Sequence, residues 1–216
     1  MRLALTLILL TVIGLPAAPP AAAMVILGGG ALIVVDGVNY CTLTTIGRDR
    51  AGDMVGFTGS SCGGPGAAVA VAGSDATVGT VVAVNGDLRY ALIKFDVPDL
   101  IAVSDYGGVA INGIGPDPVF DSPVCKYGPT TPGICGRIRF DGWPRMTMMG
   151  QFEGGDPGAP VTVDGLLVGL VYGGAVTMGS KYSLPSALTY LTRFSAILAD
   201  VNAGDGPGSG FAPIGS

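Results

Sequence analysis

The sequence predicts an all-β fold with a single C-terminal helix, on three observations. Only 12% of its 216 residues are charged, while 37 are Gly and 16 are Pro. With many β-branched residues, that balance favours turn-rich sheet over helix bundles. Short β-compatible runs alternate with Gly, Pro and Asp turns as far as residue 174, a spacing that suits a sandwich or barrel rather than alternating strands and helices. One late stretch carries apolar residues at helical spacing. Disorder is excluded on the same grounds, since disordered chains are usually charged and poor in Val, Ile and Leu.

Residues 1–23 stand outside this fold. Arg2 precedes the apolar run LALTLILLTVIGL, and PAAPPAAA then supplies small residues for cleavage, so the sequence predicts a secretory signal peptide cut after Ala23. The alternative, an uncleaved membrane anchor, is disfavoured because the run is short for a bilayer span. The mature chain, 216 less 23, has 193 residues, enough for one large domain or two small barrels sharing a core.

Residues 31–35 (ALIVV) and 40–46 (YCTLTTI) read as strands, 47–53 as a turn, 54–58 (MVGFT) as a strand and 59–66 (GSSCGGPG) as an irregular loop. The stretch 67–72 (AAVAVA) is apolar and β-compatible. Residues 78–96 hold two β-rich runs around Asn85-Gly86, a strong hairpin signal. The apolar stretch 159–178 contains Asp164 and several Gly, which makes it core strand rather than bilayer helix. The helix is expected from about Pro185 or Ser186 through Ala203, with Leu188, Leu191, Phe194, Ile197, Leu198 and Val201 on one face and Gly204 as its stop. Residues 204–216 (GDGPGSGFAPIGS) read as a flexible Gly/Pro-rich tail, leaving 24–203 as the folded domain.

Charge and cysteine content bound the partners. The formal net charge is −5; without Arg2, 10 basic residues face 16 acidic ones, a net of −6. Such a surface repels phosphate backbones and anionic membranes, and no Lys/Arg cluster offsets it, so neither nucleic acid nor a membrane surface is an expected partner. Four Cys behind an export signal favour two disulfides, with three connectivities open. No metal site is expected, because there is no Cys-x-x-Cys pair and the chain has no His. No cofactor is expected either, since no Gly-rich phosphate loop follows a strand. The sequence gives no oligomer signal.

Five segments, in order, resemble the landmarks of chymotrypsin-like serine proteases, closest to the secreted actinobacterial group of streptogrisins and α-lytic protease. Cys41 and then Ser60-Ser61-Cys62 stand where that family has a Cys and a TAGHC motif. Arg89 precedes Tyr90-Ala91-Leu92-Ile93, where the family's catalytic Asp precedes a similar strand. Gly155-Asp156-Pro157-Gly158-Ala159-Pro160 resembles GDSGGP. Residues 124–138 (VCKYGPTTPGICGRI) resemble the bacterial disulfide hairpin, and 168–174 (VGLVYGG) the strand lining the specificity pocket. The resemblance spans roughly residues 31–200. It implies two antiparallel β-barrels, a C-terminal helix, an active-site cleft between the barrels, and the pairings Cys41–Cys62 and Cys125–Cys135.

It also implies a degenerate site with no catalytic residues left. The triad needs a hydroxyl nucleophile, an imidazole base and an orienting carboxylate. The matching positions carry Ser61 for His, Arg89 for Asp and Pro157 for Ser. The family's oxyanion hole uses backbone N–H groups at the positions of Gly155 and Pro157, and Pro has none. Losing one such donor typically costs about 100- to 1,000-fold in rate. Asp156 is retained and implies a structural brace. Gln151 matches the pocket floor, where a neutral amide would not select a cation. Tyr172, Gly173 and Gly174 match the pocket-lining strand; Tyr172 either narrows the entrance or simply packs. Without the resemblance, Arg89 reads as a solvent-facing strand residue paired with Asp87, and Ser60 and Ser61 as a polar loop beside a disulfide.

The leading expectation is therefore a secreted or envelope-associated non-catalytic serine-protease homologue, with a peptide or protein ligand in the inter-barrel cleft. One alternative is a hydrolase with a rearranged or partner-completed site, for example a Ser paired with Lys94, Lys126 or Lys181. Another is a purely structural surface protein.

Overall fold

A computed structural model describes residues 24–129, 131, 133–177 and 186–216. The expected leader, 1–23, lies outside these. In chain order the strands of the first half are β1 (Val25–Leu27), β2 (Leu32–Val35), β3 (Asn39–Thr42), β4 (Thr45–Arg48), β5 (Met54–Gly59), β6 (Ala68–Val71), β7 (Thr77–Asn85) and β8 (Tyr90–Phe95). Three short strands follow: β9 (Leu100–Ala102), β10 (Asp105–Tyr106) and β11 (Val109–Ala110). The second half holds β12 (Pro123–Lys126), β13 (Ile134–Phe140), β14 (Arg145–Met149), β15 (Pro160–Val163), β16 (Leu166–Thr177), β17 (Ser186–Arg193), helix α1 (Phe194–Val201) and β18 (Ala212–Pro213).

The first half is one curled sheet in the order β18-β4-β5-β8-β7-β6-β2-β3. The expected strand 40–46 is in fact two. β3 pairs with β2, β4 pairs with β5, and the chain changes partners at Leu43-Thr44. These two residues draw the sheet's far ends together: Leu43 N donates to Ala31 O at 2.8 Å and Thr44 N to Phe57 O at 2.7 Å. Inside the curl pack Ile33, Val35, Leu43, Ile46, Val69, Val81 and Ile93. The hairpin expected at Asn85-Gly86 forms between β7 and β8, but through a four-residue loop. The Asn85 Oδ1 accepts the backbone N–H of Asp87 and Leu88, which closes the loop without a two-residue turn.

The second half is a closed barrel, β12-β13-β14-β17-β16-β15, filled by Val124, Ile138, Met146, Met148, Val161, Val168, Val171 and Leu191. Asp164 and Gly165, both at positive φ (+50° and +76°), turn β15 into β16. A third cluster joins the halves: Phe57, Tyr90 and Leu92 from the first, Leu167 and Leu170 from the second, and Phe194, Ile197 and Phe211 from the C-terminal segment.

Two C-terminal expectations are corrected. Residues 186–193 are strand, not helix, so α1 is only eight residues long. Barrel closure decides this: β17 hydrogen-bonds β14 on one side and β16 on the other, and Thr189, Tyr190 and Thr192 suit a strand better than a helix. The tail is docked rather than free. Phe211 is buried with its ring centroid 5.0 Å from that of Phe57, β18 pairs with β4, and Gly208 N donates to the Asp49 carboxylate at 3.1 Å.

Candidate functional site

The segment 154–158 of the second barrel is held against the first sheet by threonines of one strand junction. Thr42 N donates to Pro157 O at 2.9 Å, and its hydroxyl to Gly155 O at 2.6 Å. The Thr44 hydroxyl donates to Gly158 O at 2.6 Å, and the Thr58 hydroxyl to Thr42 O at 2.8 Å. All three side chains are fully buried, so each hydroxyl is satisfied away from water. Gly158 sits at φ +89°, and a Cβ there would lie 2.1 Å from Thr42 O; only Gly allows this approach. On the other side Gly158 N donates to Val171 O and Val171 N to Ala159 O, tying the segment to β16.

Beneath it lies a buried polar cluster. Lys126 Nζ donates to Asp156 Oδ2 at 2.5 Å and to the Thr131 hydroxyl at 2.6 Å, and that hydroxyl donates to Asp156 Oδ1 at 2.7 Å. Glu153 N donates to Asp156 Oδ2 at 2.9 Å. Lys126 and Asp156 are completely inaccessible, so each charge depends on its partners. Asp156 thus fixes the shape of the loop that carries Pro157.

Arg89 and Pro157, from two other parts of the chain, both border the segment 59–62 that carries Ser61. Ser60 N donates to Arg89 O at 3.0 Å, and Gly59 pairs with Tyr90 across β5 and β8. The Cys62 Sγ lies 3.9 Å from Pro157 O, and a Cβ on Gly59 would lie 3.2 Å from the Pro157 Cβ. Ser61 is exposed. Cys62 is disulfide-bonded to Cys41 and Cys125 to Cys135.

Arg89 departs from its reading as a strand residue paired with Asp87. It lies in the turn before β8 at φ +61°, and its guanidinium reaches across to the second barrel, 6.0 Å from the centroid of the Tyr172 ring. The Asp87 carbonyl is taken by Arg145 of β14, at 3.0 Å.

Tyr172 occupies a bulge of β16 and leans on Tyr190, ring centroids 6.0 Å apart. Gly173 opposes Tyr190 and Gly174 opposes Thr189. Gln151 is exposed and uses its backbone carbonyl to accept from Thr189 at 3.3 Å. Phe152, which the sequence did not single out, lies on Gly174 so closely that a Cβ there would meet the Phe152 Cβ at 2.2 Å. Its partly buried ring joins the second-barrel core and occupies the wall between 151–153 and β16.

No Lys–Ser hydrogen bond occurs among the described residues. Lys94 Nζ is bonded to Asp53 at 2.6 Å and Lys126 to Thr131 and Asp156; Lys181 lies outside the described residues. Sequence reading also missed Thr42, Thr44, Thr58 and Thr131, and took Lys126 as a candidate partner of a Ser, whereas it pairs with Asp156 and Thr131. Their only sequence trace is a hydroxyl in a strand or a Lys beside a Cys, and neither identifies a partner.

No family model and no curated protein matches this chain. Solved structures do. Thermobifida fusca protease A is 21% identical over 81% of this chain and 95% of its own, with a TM-score of 0.65. Cellulomonas bogoriensis chymotrypsin is 20% identical over 88% of this chain and 100% of its own, at 0.64. The Nocardiopsis protease is 20% identical over 81% and 96%, at 0.63. The chain therefore has the chymotrypsin-like two-barrel fold.

Proposed function

We propose that this chain is an exported chymotrypsin-fold protein that holds an extended peptide segment between its barrels and does not cleave it. One observation carries the reading: the segment 59–62, which carries Ser61, meets Arg89 on one side and Pro157 on another, in a chain with no His. None of them can take a proton from a nucleophile at neutral pH, and Pro157 offers neither a hydroxyl nor an N–H to an oxyanion.

Peptide binding has a place to occur. Past Val171, β16 is paired with β17 on one edge, and no strand covers its other edge among the described residues. Such an edge adds an extended peptide through main-chain hydrogen bonds. Phe152 against Gly174 leaves little depth for a large side chain, so backbone pairing rather than a deep pocket supplies the affinity. Two disulfides and the leader-like N-terminus support an oxidising, extracellular or envelope location.

The test is exposure of the secreted protein to a serine-directed fluorophosphonate and to a panel of peptide substrates. No labelling and no cleavage are expected, for the parent chain and for Pro157→Ser, because the restored hydroxyl would still lack a base. Stoichiometric labelling of the parent chain would overturn the proposal.

A further inference from the structure

We infer that Arg89, seated over Tyr172, is a receptor for a carboxylate carried by the bound peptide, so that the ligand is an acidic extended segment. This rests on the peptide-binding reading and specifies its ligand.

Arg89 is singular among the described cations. Arg50, Lys94, Lys126, Arg137, Arg139 and Arg193 all form ion pairs, and Arg48 and Arg145 donate to backbone carbonyls. Among the described residues the Arg89 guanidinium has neither an ion pair nor a hydrogen bond; it rests over the Tyr172 ring. It is exposed, yet it comes from the first barrel and rests on a residue of the second, across the line where the halves meet. An idle surface Arg has no reason to be placed so.

The backbone points the same way. A non-Gly residue at φ +61° is strained, and it is kept here by Ser60 N donating to the Arg89 carbonyl. Tyr172 in turn sits in a β-bulge, a device that re-aims a side chain. Two local irregularities, one per barrel, thus bring one cation and one ring together beside the open edge of β16. Stacking on an aromatic face orders the guanidinium plane, and its fork of donors matches a carboxylate in two-point geometry. The surface as a whole is acidic, with net charge −5, so an acidic peptide is repelled elsewhere and finds this unneutralised positive charge at the cleft. Asp87, the nearest acid in the chain, is exposed and forms no ion pair with Arg89.

The experiment uses the secreted protein and blocked Val/Thr-rich peptides in matched pairs that differ by one Glu-for-Gln exchange, with the exchanged position moved along the peptide. Affinity is measured by fluorescence anisotropy. The best-placed Glu peptide is expected to bind roughly fivefold tighter than its Gln twin at low salt, the upper range for an exposed ion pair, and the preference should fade as salt approaches about 1 M. Arg89→Gln should bind both twins with the parent's affinity for the Gln peptide, Arg89→Lys should keep part of the preference, and Arg89→Glu should invert it. Unchanged melting temperatures would establish that the variants are folded. If the parent binds both twins equally, or Arg89→Gln keeps the Glu preference, the inference about Arg89 is wrong and peptide binding stands. If no peptide of either kind binds, the peptide-binding reading itself fails, and this inference with it.

Discussion

The two halves of the molecule hold the segment 154–158 by different chemistry. The first is an open sheet, curled by one chain segment that changes partners at Leu43-Thr44; the second is a closed barrel. On the first side the segment 154–158 is held by neutral groups: the buried Thr42 and Thr44 hydroxyls bond it directly, with Thr58 bracing Thr42 and the buried Cys41–Cys62 bond beside them. On the second, the loop 154–158 rests on a buried charge cluster, Lys126–Asp156–Thr131. Neutral hydrogen bonds satisfied one by one fix how closely the halves approach. A buried ion pair fixes the internal shape of one loop and tolerates no missing member. The shape of the loop that carries Pro157 therefore depends on Asp156 and its partners.

The largest effect should come from breaking the charged side. Asp156→Ala leaves Lys126 charged, buried and unpaired, and should cost about 3–5 kcal/mol, visible as a drop of roughly 10 °C in melting temperature for a chain of this size. Pairing it with Lys126→Met should recover much of the loss. A single Asp156 variant as stable as the parent would mean that the cluster does not hold the loop.

Next come the disulfides, one per half. Replacing Cys41 and Cys62 by Ala opens a span of 21 residues, and replacing Cys125 and Cys135 a span of 10. Chain entropy predicts a loss of about 3 kcal/mol for each, with the longer loop costing more by about half a kcal/mol. Loss of the first also leaves a void in the core, because both its sulfurs are buried, whereas Cys135 is exposed. Urea titration of the two double variants should rank them in that order; the reverse ranking would remove the contrast between the halves.

The smallest effect sharpens the comparison through pH. The Tyr90 hydroxyl donates to Asp200 of α1 at 2.6 Å and fastens the β7–β8 hairpin to the helix. Its pKa is raised above the ordinary value of 10.0, first by burial and then by the hydrogen bond to Asp200 and that residue's charge. A raised pKa means that the stabilisation is fully present below the unfolded-state value and is lost as pH climbs above it. Stability should therefore fall above about pH 10, and Tyr90→Phe should flatten that fall while costing about 1 kcal/mol at neutral pH. An identical alkaline slope in both proteins would rule the hydroxyl out as its source.

The local pattern of residues was enough to reveal most of the first sheet, though not the break between β3 and β4 or the docked β18, because alternation and Gly/Pro punctuation are short-range properties. It did not reveal what the residues 186–193 become. Leu188, Leu191 and Phe194 satisfy a helical period and a strand equally well until β14 and β16 claim the backbone from both sides. Arg89 was misplaced for a related reason: its turn is set by the Asn85 side chain, and its ring partner lies on the other barrel.

By itself the sequence determined the β-rich composition, the cysteine inventory, the missing His and the order of five protease-like segments, all of which are properties of covalent chemistry or of near neighbours. Only the tertiary structure decided that the Gly/Pro-rich tail docks through Phe211 and β18, that Lys126 meets Asp156, and that Phe152 covers Gly174. These are contacts between residues far apart in the chain. They depend on closing long loops and burying shared surface, and no local pattern encodes that free energy.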